Sequence, residues 1–159
     1  MFRLLLGIGQ HIVRLMTFRH DARGLPATRS GALYLLFILF VASQFGEDIL
    51  SPGGVTDWPN TVALHLAEAG LLLVFIKPYP LSAILLISLG SNLVEMLAAV
   101  VAQGVALVAL GTTHSKAAHE WVSNSYDYVN ILMFVWGFFA MGSVVNKMMA
   151  RSANNKKQD

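Results

Sequence analysis

Four apolar runs, each near or above the length that crosses a bilayer, restrict this chain to a membrane-spanning helical architecture. A helix needs about 20 apolar residues to cross roughly 30 Å of hydrocarbon. The runs lie at about 30–48, 61–76, 81–110 and 126–147. Turn chemistry separates them: the Pro- and Gly-rich loop 51–60 (SPGGVTDWPN), the Lys77-Pro78-Tyr79-Pro80 connection, and a polar stretch over 111–125. The third run, at 1.5 Å per residue, would extend roughly 45 Å, beyond what a bilayer core needs. It must tilt, protrude or bend, and Gly90-Ser91 is the expected bend.

Composition agrees. The chain is 55% apolar and 13% charged, where soluble domains carry about 45–50% and about 25%. One membrane domain over 30–148 is expected, between a leader and linker at 1–29 and a polar tail at 149–159. The absence of cysteine excludes disulfides, thiolate nucleophiles and Cys-based metal centres. Residues 2–18 place Arg3, Gln10 and Arg14 on one helical face, with Leu4, Leu5, Ile8, Ile12, Leu15 and Met16 on the other. That pattern predicts an amphipathic helix at the membrane interface. Its apolar stretch, Leu4 to Ile8, is too short for a signal-peptide core, so retention is expected.

Orientation follows from the basic residues. Ten of the eleven Lys and Arg, all but Lys116, lie in the N-terminal segment, at Lys77, or from Lys147 onward. With four spans these share one side, which predicts a cytoplasmic (inner) membrane protein with both termini cytoplasmic. Trp58, Trp121, Tyr126 and Tyr128 would form the outer aromatic belt. No basic helix with interleaved aromatics is present, so the pI near 9.1 does not point to nucleic acid.

Function is sought in the polar residues inside the spans. A charge at the centre of a spanning helix costs about 2.5–3.5 kcal/mol, and such residues often mark function. His65 and Glu68 lie on span 2, Asn92 and Glu95 on span 3, each pair at i,i+3 and so on one helix face. Counted from the turn near Pro78, His65 and Asn92 are each roughly 20 Å away. The expectation is that these faces meet, because lipid would leave them unpaired. Gln44, Gln103, Asp127 and Asn130 would line the same outer region. The inner halves, 33–40, 71–76, 81–89 and 131–141, are nearly devoid of polar groups. A polar pocket open to the outside and closed by an apolar plug is therefore expected, not a continuous pore. The competing reading is purely structural, with neutral or paired side chains joining helices by hydrogen bonds.

Other chemistry finds less support. His114 and His119 in the last loop match no ligand spacing, and the chain does not repeat the Glu-x-x-His of a di-iron bundle. No nucleophile elbow occurs. No catalytic residue, metal or cofactor is assigned. Small-residue rows, Ala98/Ala102/Ala106 and Ala63/Ala67/Gly70, predict close helix packing, within the chain or against another subunit.

The sequence thus predicts an all-α, four-span antiparallel bundle with an N-terminal amphipathic helix. It would be an accessory or binding protein whose partners are the bilayer and other membrane subunits or itself. His65, Glu68, Asn92 and Glu95 would bind a ligand or proton. A small proton-coupled carrier and a membrane enzyme or metal protein are the alternatives.

Overall fold

The computed structural model describes residues 2–20, 24–26, 28–52, 54–113 and 115–155. His114 and the last residues of the tail, 156–159, lie outside them. The described residues are all-helical, 84% helix. Five helices run in order: α1 (Phe2–Met16), α2 (Gly31–Leu50), α3 (Trp58–Phe75), α4 (Pro78–Leu110) and α5 (Lys116–Asn155). The last four are each long and apolar enough to cross a membrane.

Local chemistry sets the helix ends. Asp57 caps α3 by accepting from the Asn60 amide at 3.2 Å, and Pro59 sits in the first turn. Pro78 closes off α3 and opens α4, at a position where its missing N–H costs nothing. Gly111, with φ 68°, ends α4 in the left-handed conformation that glycine adopts without penalty. α4 runs as one helix through Gly90 and Ser91.

The polar stretch 111–125 is not all loop. α5 begins at Lys116, ten residues before the expected span, and continues to Asn155. Ser115 Oγ accepts from the Ala118 amide at 3.1 Å and starts the helix. Ala118 and Val122 then pack on Ala102 and Ala106 of α4 in a small buried cluster. The surplus length of α4 is matched by these first turns of α5, and the small side chains let the two backbones approach. Ser115→Ala should cost about 0.5–2 kcal/mol locally. Amide exchange at Ala118 should accelerate while that of Leu85, deep in the main core, stays unchanged.

α4 is the centre of the fold. Its contacts with α5 are the most extensive, followed by those with α2, and α1 also lies against it. The main core gathers Leu33, Leu36 and Phe40 of α2, Leu81, Leu85, Leu86 and Leu89 of α4, and Ala140 and Val144 of α5. These residues occupy the halves of the spans next to the Pro78 turn, where the sequence places its apolar plug.

α1 joins this core. Leu15 is buried in it, and Ile8 and Ile12 pack on its edge. The Trp136 indole donates to the Met16 carbonyl at 3.3 Å. Lys147 Nζ donates to the carbonyls of Phe18 and His20 at 3.0 and 2.8 Å, satisfying backbone oxygens just past the helix end. Arg3, Gln10 and Arg14 remain exposed, so the amphipathic face read from the sequence is spent largely on the bundle.

α3 is peripheral. Among its residues only Ala69 is buried, and it touches α2 and α4 sparsely. Ala63, Ala67 and Gly70 are exposed, so this small-residue row does not mediate packing within the chain. The corresponding row on α4 does, through Ala102 and Ala106.

Candidate functional site

The half of the bundle away from the Pro78 turn holds a set of side-chain hydrogen bonds centred on α4. Ser91 and Glu95, one turn apart, face α5: Ser91 Oγ donates to Glu95 Oε1 at 2.9 Å, and Asn130 Nδ2 donates to Oε2 at 3.2 Å. Asn92 turns to α2 instead. Its Nδ2 donates to Ser43 Oγ at 3.0 Å and to Gln44 Oε1 at 2.8 Å. Ser43 passes the chain on to the Phe40 carbonyl at 2.7 Å. Asn92 and Glu95 are 7% and 6% exposed, so each depends on these partners.

Two further links tie the last turn of α2 to its neighbours. Tyr126 of α5 donates to Glu47. Asp48 Oδ2 pairs with His65 Nε2 of α3 at 2.5 Å, and the His65 ring stands edge-on to Phe45, 5.0 Å between centroids. Higher still, Gln103 Nε2 donates to the Leu50 carbonyl at 3.3 Å, satisfying an oxygen at the end of α2.

The expected meeting of the α3 and α4 faces does not occur. His65 reaches Asp48 on α2, not Asn92 or Glu95. Glu68 is exposed in a surface groove beside Leu71, Leu72, Phe75 and Ile76. The physical reason is the choice of neighbour: α4 buries its polar faces against α2 and α5, and α3 is left outside. Of the four residues expected to converge, Asn92 and Glu95 belong to one cluster, His65 stands at its edge and Glu68 stands apart. Gln44 and Asn130 join the cluster, Gln103 lies above it, and Asp127 is exposed.

Sequence reasoning missed Ser43, Glu47, Asp48, Ser91 and Tyr126 as partners. A signal existed. Ser43, Gln44, Glu47 and Asp48 fall within one broad face of a helix once α2 is carried through to Leu50.

A polar pocket of about 220 Å³ lies between the ends of α2, α4 and α5, lined by Ser51, Pro52, Gln103, Thr113, His119 and Val122. Its lining differs from the expected quartet, with Gln103 the one residue shared with the secondary set. Among the described residues no three His, Asp or Glu side chains gather as a metal would require.

Fold and cluster together define a helical bundle with four candidate membrane spans, apolar toward one end and hydrogen-bonded through polar side chains toward the other. Compared with protein-family models, curated proteins and solved structures, the chain matches none.

Proposed function

We propose that this chain is a small accessory subunit of a cytoplasmic membrane, with both termini cytoplasmic and an outward-facing polar region that holds its spans in register. The observation that supports this most is mutual satisfaction. Among the described residues no buried side-chain nitrogen or oxygen lacks a hydrogen-bond partner. A transport site must exchange partners as its cargo passes, whereas a closed set such as Asn92–Ser43–Gln44 favours one fixed arrangement. The core beneath it is rich in leucine, and the buried Ser82 within it falls short of the polar path that a pore would need.

Reconstitution tests the reading. Vesicles containing the purified chain should show no proton or ion flux above protein-free vesicles. Isolation from native membranes in mild detergent should recover it in stoichiometric complex with a larger membrane protein. Flux abolished by Glu95→Gln would replace this reading with a proton-coupled carrier.

A further inference from the structure

Among the described residues, Glu68 is a carboxylate within a candidate membrane span that takes part in no hydrogen bond or ion pair. Glu68 lies about 15 Å along α3 from Trp58, near the middle of the span. It is exposed, and no described residue donates to it or pairs with it. Its neighbours along the same face are Leu64, Leu71 and Phe75, which are 60%, 58% and 78% exposed. Leu64, Glu68, Leu71 and Phe75 follow a 4-3-4 spacing, the seam of two helices packed knobs-into-holes, and a single polar residue in such a seam specifies the partner and its register. Leu72 and Ile76 complete a groove along this ridge.

We propose that this face of α3 docks a transmembrane helix of a different protein that carries a Lys or Arg at mid-span. The proposal rests on the accessory-subunit reading and names the chemistry of the partner. Charge complementarity selects the occupant: a carboxylate in hydrocarbon is stabilised by an opposite charge. A second copy cannot supply it. Every Lys and Arg of the chain lies outside the central parts of the four spans, at residues 3–29, 77, 116 and from 147 onward. Two copies related by a twofold axis along the membrane normal would instead oppose Glu68 to Glu68.

The test uses the full chain in phosphatidylcholine vesicles. Because the protein contains no cysteine, Thr56→Cys, in the exposed loop before α3, provides a single labelling position. The probes are a labelled Leu/Ala transmembrane peptide with one central Lys and the same peptide with Leu at that place. Energy transfer should show the Lys peptide binding about five- to thirty-fold more tightly than the Leu peptide. Glu68→Leu should remove the difference, while Asp127→Leu, which removes an exposed carboxylate on α5 away from this face, should retain it. Equal binding of the two peptides to the wild type overturns the proposal. So does Glu68-dependent energy transfer between two labelled copies that the Lys peptide cannot compete away, which would make the face a self-association surface. Neither result touches the flux and complex-isolation measurements, so failure here is separable from failure of the accessory-subunit reading.

Discussion

Asn92→Leu is expected to be among the most destabilising single changes in the spans. The substitution leaves Ser43 and Gln44 without the amide that bridges them at 3.0 and 2.8 Å. An unpaired buried polar group costs about 1–3 kcal/mol. Unfolding of the detergent-solubilised protein should shift by that order and expose the contact between α2 and α4. Glu95→Leu should act similarly through α5, because Ser91 and Asn130 lose their acceptor. Glu68→Leu is the control. Its side chain is exposed and outside the cluster, so stability should stay within about 0.5 kcal/mol. If Asn92→Leu and Glu68→Leu unfold alike, the cluster does not hold the spans together.

Gly90→Leu should detach α1 while sparing the four spans. A Cβ at Gly90 would stand 3.2 Å from Ile12 Cγ2 and 3.5 Å from Met16 Sδ. The remaining leucine atoms would have to enter the space α1 occupies, and overpacking of this kind costs about 1–3 kcal/mol. α1 can move as a unit because it is joined to the bundle by a linker and a modest interface. Trypsin should then cut faster after Arg19, with the fragment from α2 onward still helical. Gly104→Leu, with nothing within 4 Å of its Cβ position, should leave the cleavage rate at the wild-type value.

Much of the architecture was legible in the sequence. The apolar runs mark α2 to α5, while the prolines at 59, 78 and 80, read as loop and connection, fall in the first turns of α3 and α4. The separation of an apolar half from a polar half along the bundle appears as the core around Leu85 and the cluster around Asn92. The helical nature of 116–125 was not legible, because its polar composition resembles a loop and its packing on Ala102 and Ala106 helps stabilise it as helix. The site was half legible. Asn92 and Glu95 stand out as polar groups in an apolar run, yet their partners Ser43, Ser91 and Tyr126 are ordinary residues in such a chain. The pairing of His65 with Asp48, and the isolation of Glu68, could not be read from spacing along α3.

The sequence by itself determined how many helices can cross a membrane and how far along each run its polar groups lie. Hydropathy and turn chemistry are local properties, and depth along a helix follows from a constant rise per residue. Only the tertiary structure decided which helix faces which. Lipid is as apolar as leucine, so burial against protein and exposure to acyl chains are nearly equivalent for most side chains. The choice of α2 and α5 as neighbours of α4, and the relegation of α3 to the edge, comes from shape and hydrogen-bond matching across the whole bundle. One residue's hydropathy cannot encode that.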